Sequence, residues 1–438
     1  MITQNKIPIL MQHSVVSLKT SSLPMTKPSK IQTPRFDEPL CSKCGLCMGN
    51  AWPVKESLES CVFRCGWVEN HEKRIFGRVR NPDDSDELRF GISLKRFNAT
   101  LKKPVNGAQW SGIITRISTM ALQTNLVDAV LTLHGEPLQP KAVLAKTAQD
   151  IHEARGNKPV LSPVLQALHT AYREKTRRLL VVGAACHVHM VRDFTRKSPY
   201  FADLDLYIVG IPCTDNLEPS HLQWVFRNIS KNPETVINFE FMQDYRVHIL
   251  HKAGKVEKIP FFCLPSAVMK VGVFPNSCLS CFDYINSLSD ITVGYLGAPY
   301  SKNRKTQWII VRTERGEKLL DLINDEIETS PEVFFGDSHS AVQAALQPTL
   351  MPILQPEKLD DRKAMPKWLG IYLSRKKAKS GPGGTEFAKY SIDIHAIRNF
   401  YFLKMYRPDD IGIVPTHIYD LLSQYDLSSI QRIIEARI

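Results

Sequence analysis

Apolar and polar positions alternate between two periods along most of the chain. In "SGIITRISTMALQTN", Ile113, Ile117, Met120 and Ala121 fall on one face, which predicts an amphipathic helix. "LVDAVLTL" then reads as a strand. A polar stretch that includes "ARGNKPVLSP" leads into a helical "VLQALHTAYREKT", which feeds the buried strand "RLLVVG". "LYIVG" is a second buried strand, and "EPSHLQWVFRNI" predicts a helix capped by Ser220. "YRVHILHKAGKVEKIPFF" alternates on both sides of a glycine turn and predicts a hairpin. "DITVGYLG" and "TQWIIVRT" are strands, and "GEKLLDLINDEI" is an amphipathic helix. From about Gly336 the pattern is less regular and includes a flexible "KSGPGG". Helix and strand in alternation predict an α/β layer architecture.

Length and composition narrow the class. The 438 residues, 43% hydrophobic and 23% charged, predict two or three domains, or one large core with appendages. No apolar run approaches the roughly 18 residues of a membrane span, so the chain reads as not integral to a membrane. Residues 1–36 contain no acid, and Arg35 is their only arginine, which fits a disordered lead better than a transit peptide. Met25 is a second candidate start.

The net charge of +12 calls for an acidic partner. Nucleic-acid signatures are absent, so no nucleic acid is expected. Basic residues gather in "DRKAMPKWLGIYLSRKKAKS", interleaved with Trp368, Leu369, Ile371, Tyr372 and Leu373. That stretch reads either as an ordinary solvated helix face or as a surface that rests on lipid headgroups or docks an acidic redox protein.

The ten cysteines change the picture most. With no secretory signal, their clustering points to metal rather than disulfides. "CSKCGLC" supplies Cys41, Cys44 and Cys47 at the tight spacing of iron–sulfur ligation. A ferredoxin run would place its fourth cysteine where Ala51 stands, so that thiolate must come from Cys61 or Cys65. Cys186 and Cys213 end two apolar strand-like runs, at the sheet edge where α/β proteins bind ligands. With "SCLSC" (Cys278 and Cys281) they make a second quartet. Cys65 and Cys263 are left over as structural residues. No dinucleotide fingerprint announces a flavin.

"CSKCGLC", "GAQWSGI", "ARGNKPVLSP", "EFMQDYRV", "SCLSCFDYINSLSDITVGYLGAP" and "FAKYSIDIHAIRNFY" together resemble one group of flavoenzymes. The group is related to the β subunits of deazaflavin-reducing hydrogenases and dehydrogenases. It contains ferredoxin-dependent divinyl chlorophyllide 8-vinyl reductases and 7-hydroxymethyl chlorophyll a reductases. The resemblance runs from about Pro39 to Tyr425, in order. It implies FAD, two 4Fe–4S clusters, reduced ferredoxin as electron donor, a chlorophyll-type tetrapyrrole as substrate, and a homo-oligomer. First-cluster ligands would be Cys41, Cys44, Cys47 and Cys61, the last because the family has a cysteine followed by a small residue and Phe. The second cluster would take Cys186, Cys213, Cys278 and Cys281. Flavin is implied near Gln109, Trp110, Ser111 and Gly112 and near Asn157 and Lys158.

The implied architecture is an N-terminal iron–sulfur segment (39–105) after a lead (1–38). A mixed-sheet flavin-binding body (106–190 and 191–335) and a basic, helical C-terminal region (336–438) follow. Single-electron clusters and a flavin that holds two electrons would match ferredoxin to a two-electron reduction. His187, His189, Asp215, Asp283 and His395 are the candidate proton donors. Each also has a structural reading, as a cap, a loop brace or a hydrogen-bonded core residue.

Two departures bear on specificity. His187 stands where the family has Gln, and "MGNAWPVKES" replaces a Tyr-rich stretch. "APYSKNRKTQWIIV" lacks the longer insertion of the plant 7-hydroxymethyl enzymes, which favours 8-vinyl reduction. The other readings are 7-hydroxymethyl reduction, an electron-transfer subunit without its own pigment, and a structural zinc protein. The resemblance places the chain in the cytoplasm or at the thylakoid, or in the plastid stroma of a eukaryote.

Overall fold

The computed structural model describes residues 39–49, 51–67, 69–300, 305–359 and 365–436. The expected lead, with Met25, lies outside the described residues. Eleven strands in chain order build the two main sheets: β1 (Lys95–Leu101), β2 (Ala129–His134), β3 (Lys141–Ala145), β4 (Arg178–Gly183), β5 (Asp205–Gly210), β6 (Val236–Met242), β7 (Arg246–His251), β8 (Val256–Pro260), β9 (Ile291–Gly294), β10 (Gln307–Val311) and β11 (Ile327–Ser330). The larger sheet has eight strands in the order β11-β1-β10-β9-β5-β4-β2-β3. Its centre is parallel, from β2 through β4 and β5 to β9. β3 on one side and β10, β1 and β11 on the other run antiparallel to their neighbours. β6, β7 and β8 form a separate antiparallel sheet. The chain is a mixed α/β protein.

Two apolar layers sandwich the large sheet. On one face, Ile113 and Ile117 of helix Ile113–Gln123 and Leu319 and Leu320 of helix Glu314–Asp321 pack with Val130, Leu180, Val209 and Ile309. On the other, Leu131, Leu179, Val181 and Ile208 share a core with Val188, Val191 and Phe194 of helix Ala185–Lys197. Leu346 and Leu350 of helix Ser338–Leu354 and Phe402 and Leu403 of helix Thr385–Tyr406 join that core. Burial on both faces is why the central strands appear in the sequence as unbroken apolar runs.

Several expectations are corrected. The polar stretch after β2 contains β3, an edge strand with Leu144 opposite Leu131. The hairpin forms where expected, as β7–β8, and β6 adds a third strand that the sequence reading did not include. Ser220 is not a cap: Glu218 takes the N-cap position of helix Pro219–Ile229, and Pro219 opens it with its φ preset. The tail is more regular than its pattern suggested, with helices Ser338–Leu354, Lys367–Ser380 and Thr385–Tyr406. Within "KSGPGG", Gly383 and Gly384 pair in register with Phe335 and Phe334. Among the described residues no helix is long and apolar enough to cross a membrane.

Candidate redox site

The carboxyl ends of β4 and β5 and the loop before β9 carry one group of thiols. β4 stops at Gly183, and Cys186 sits in the first turn of helix Ala185–Lys197 rather than at a strand end. Cys213 lies just past β5, its backbone N–H donating to the Tyr284 carbonyl at 3.0 Å. Cys278 and Cys281 flank a short 3-10 turn. The Asn286 side chain ties these pieces together, donating to the Gly183 carbonyl at 2.8 Å and the Ile211 carbonyl at 3.3 Å.

Helix Thr385–Tyr406 clamps the same loop from outside the sheet. Asn399 Nδ2 donates to the carbonyls of Cys278 (2.9 Å) and Cys281 (2.7 Å), and His395 Nε2 lies 3.0 Å from the Cys281 carbonyl. Arg398, on the same face, forks onto Asp215. These polar groups recur at one-turn spacing on a largely buried helix, and satisfied buried polar groups fix geometry.

The four thiols sense one another. Burial drives the Cys213 and Cys281 thiols well above their usual range, and Cys186 adds to the effect in both through charge. Burial also raises Cys278, and it pushes Cys186 up to about 11. Cys186 is the member felt by the other three.

The first thiol group adjoins this one. Burial raises Cys44, with Cys186, Cys61 and Cys47 contributing, and pushes Cys61 up to about 11, with Cys41, Cys65 and Cys47 contributing. Cys41 and Cys47 are exposed, so this group reaches the surface. Cys65 is also near Cys61, but its thiol is engaged by the Glu59 carbonyl at 3.1 Å. Cys186 thus neighbours both groups. Cys263 is remote from them, its thiol 3.9 Å from the Pro366 carbonyl.

The donor chemistry fits iron–sulfur clusters. Soft thiols dominate both groups, and burial keeps most of them neutral until a cation displaces their protons. Among the described residues no three His, Cys, Asp or Glu side chains converge on a point fit for a single metal ion. A cluster takes its thiolates on separate irons, which asks for a wider ring than one ion does.

Beside the second group opens a cavity of about 830 Å³. Gln109, Trp110, Gly112, Asn157 and Lys158 line it, and Cys213 forms part of the same wall. Ser111 stands behind that wall, its hydroxyl donating to Gln307 Oε1 at 2.9 Å. Gly112 has φ +92, and an added Cβ would meet the Val105 Cβ at 2.8 Å, so glycine is required there. It opens helix Ile113–Gln123 without a side-chain cap, and Ile114 and Thr115 of the first turn face the cavity. Gln307 Oε1 accepts from the Ile113 N–H at 3.3 Å, and a helix start that opens on a cavity suits an anion such as phosphate.

Lys158 Nζ donates to the carbonyls of Ala154 (2.8 Å), Arg155 (2.9 Å) and Gly156 (3.3 Å), bracing the loop after helix Ala148–Ala154. Burial, aided by Arg155, lowers its pKa to about 8. Glu240, whose carboxyl burial raises, accepts from Gln109 Nε2 at 2.6 Å. Trp110, at φ +55, leans on Tyr295 with ring centroids 4.7 Å apart. The lining also has a large apolar share, with Phe239, Phe261, Phe274, Ile353 and Phe387.

The five proton-donor candidates divide. His187, Asp215 and His395 face the cavity. His187 is buried, which pulls its pKa down to about 4, and its Nδ1 has no hydrogen-bond partner. His189 and Asp283 pair with each other at 2.9 Å, and Asp283 also accepts from the Ser287 N–H. Neither lines the cavity. Arg398, Asn399, Glu240 and Tyr295 escaped the sequence reading. The i, i+3, i+4 polar stripe of His395, Arg398 and Asn399 within an apolar helix was the signal that could have found two of them.

Comparison with known proteins defines the class. The family models of the coenzyme F420 hydrogenase/dehydrogenase β subunit match residues 96–169 (N-terminal part) and 176–333 (C-terminal part). The chain belongs to that oxidoreductase family. Within it, the chain falls in the group that includes 7-hydroxymethyl chlorophyll a reductase: the chloroplastic enzyme of Oryza sativa subsp. japonica is 37% identical over 378 residues, 82% of this chain and 76% of that one. An uncharacterized protein of Nostoc sp. is also 37% identical, over 89% of this chain and 94% of its own length. One component of the F(420)H(2) dehydrogenase of Methanosarcina mazei is 29% identical over 64% of this chain and 73% of that one.

Proposed function

We propose that the chain is a ferredoxin-dependent reductase of a chlorophyll-type tetrapyrrole, acting on the 8-vinyl group of a divinyl chlorophyllide. It would hold two 4Fe–4S clusters and FAD. The observation that carries the reading is one cavity whose lining combines three kinds of group: polar side chains beside the start of helix Ile113–Gln123, the thiol-bearing Cys213, and aromatic side chains. A dinucleotide needs the first, electron delivery needs the second, and a flat apolar macrocycle suits the third.

Cys41, Cys44, Cys47 and Cys61 would hold the first cluster, and Cys186, Cys213, Cys278 and Cys281 the second. Gln109, Trp110, Gly112, Asn157 and Lys158 would hold the FAD, with Ser111 fixing the loop through Gln307. When bound, these groups supply single-electron transfer and two-electron reduction. The protein's own residues orient and shield. Glu240 positions Gln109, Tyr295 backs Trp110, and the aromatic side chains of the lining would exclude water from the reacting edge of the substrate. Exposed Cys41 and Cys47 offer a point of approach for an acidic one-electron donor to a chain of net charge +12.

The rice relative supports a second reading, reduction of a 7-hydroxymethyl group. Anaerobic turnover with reduced ferredoxin separates the two. Consumption of divinyl chlorophyllide supports the first, and consumption of 7-hydroxymethyl chlorophyll a supports the second. Flavin reduction without change in either pigment points to an electron-transfer subunit and sinks both.

A further inference from the structure

Helix Lys367–Ser380 is built to face outward. Its inner side is small: Ser374 Oγ donates to the Tyr245 carbonyl at 3.0 Å, and Gly370 lies so close to the Cys263 thiol that a Cβ would collide with it. Its outer side is large and uncovered, with Trp368 71% and Tyr372 58% exposed. At 3.6 residues per turn, Trp368, Tyr372, Arg375 and Lys379 fall on one stripe. The helix sequence "KWLGIYLSRKKAKS" contains no acid.

Basic residues near a helix C-terminus are accounted for by the helix dipole. That explains neither aromatic. One exposed aromatic is unremarkable, but Trp and Tyr one turn apart, on a stripe that continues into cations, is the arrangement of a helix lying in a lipid interface. Both rings carry a polar edge on an apolar body, which suits the headgroup level, and the long cationic stems reach lipid phosphates beside them.

We infer that the outer face of helix Lys367–Ser380 docks the protein on an anionic lipid bilayer. Charge complementarity selects the occupant, since an acid-free helix of five cations attracts an anionic surface. Position supports it as well. Met365, just before the helix, lines the large cavity, and so do Phe261, Phe262 and Leu264 of the segment on which the helix packs. A docked helix brings this part of the cavity lining to the membrane surface, where a ligand of low water solubility is concentrated. The inference goes beyond the proposed reaction and holds whichever pigment is reduced.

Flotation of the full chain with vesicles tests it. The protein should float with phosphatidylglycerol-containing vesicles, stay behind with pure phosphatidylcholine, and release as salt rises. Arg375→Gln with Lys379→Gln should weaken binding about 25-fold, a fivefold step for each charge. Trp368→Ser with Tyr372→Ser should weaken it at least tenfold, while circular dichroism and melting temperature stay unchanged, because all four side chains are exposed. No flotation with anionic vesicles overturns the inference. So does flotation that neither double variant weakens. Loss of ferredoxin binding or of self-association in these variants, with vesicle binding intact, assigns the face to a protein partner and overturns it too.

Discussion

Arg398 and Asp215, 183 positions apart in the chain, meet as a two-pronged ion pair: Nη1 donates to Oδ2 at 2.8 Å and Nη2 to Oδ1 at 2.9 Å. Burial pushes the Asp215 carboxyl up, and the forked guanidinium offsets part of that. The pair sits against Cys213 and Cys278 and joins helix Thr385–Tyr406 to the loop after β5. Arg398→Leu should destabilise the protein by about 3–5 kcal/mol, because it strands a buried carboxylate. Pairing it with Asp215→Leu should recover much of the loss. Anaerobic urea unfolding of the single and double variants measures both.

Asn399 holds two carbonyls of the C-x-x-C loop with one amide. Asn399→Ala should cost about 1–3 kcal/mol through the carbonyls left unpaired. If the loop carries a cluster, bound iron should fall from about eight to about four per chain. Retention of all the iron would show that the loop keeps its shape without the clamp.

Cys61 and Cys65 lie close together but differ in burial and in thiol partners. Cys61→Ala should halve the iron of anaerobically reconstituted protein, whereas Cys65→Ala should leave it unchanged. The reverse result would move the fourth ligand of the first group to Cys65.

Gly112 cannot take a side chain without displacing Val105 and Ala108. Gly112→Ala should cost about 1–2 kcal/mol from the left-handed backbone alone. It should also abolish retention of FAD through gel filtration, while iron content persists.

Lys158 gives a pH signature. Its folded pKa is about 8, below the usual lysine value, so the unfolded chain binds more protons between about pH 8 and 10.4. The burial penalty is therefore full below pH 8 and is relieved as pH rises through that window. The melting temperature of flavin-free wild type, relative to Lys158→Gln, should rise over the same interval. Added FAD should shrink the rise if its phosphates lie near the ammonium.

What the sequence revealed follows burial. β4 and β5 are apolar on both faces and were legible without neighbours. β1, β3 and β11 hold their places through pairing at or near the sheet edges, and "KRFNATL", "KAVLA" and "IETS" carry no comparable period. Cys41, Cys44 and Cys47, and Cys278 with Cys281, stood out because two-residue gaps keep their thiols on one turn, whereas the approach of Cys186 and Cys213 to the second pair depends on the sheet. Ser220 misled because Pro219 starts the helix and shifts the cap to Glu218. The clamp of Arg398 and Asn399 stayed hidden because its partners are backbone carbonyls and a carboxylate far off in sequence.

That clamp also sets a schedule for the living cell. Cys278 and Cys281 emerge from the ribosome well before residues 385–406, which grip their loop, have been translated. A nascent chain can expose the early thiols but cannot yet present the later pair in a finished cradle. If a cluster binds that cradle, its delivery belongs after residues 385–406 have emerged and folded onto the loop, and a chain truncated before Thr385 should leave the ribosome with thiols that remain open to oxidation.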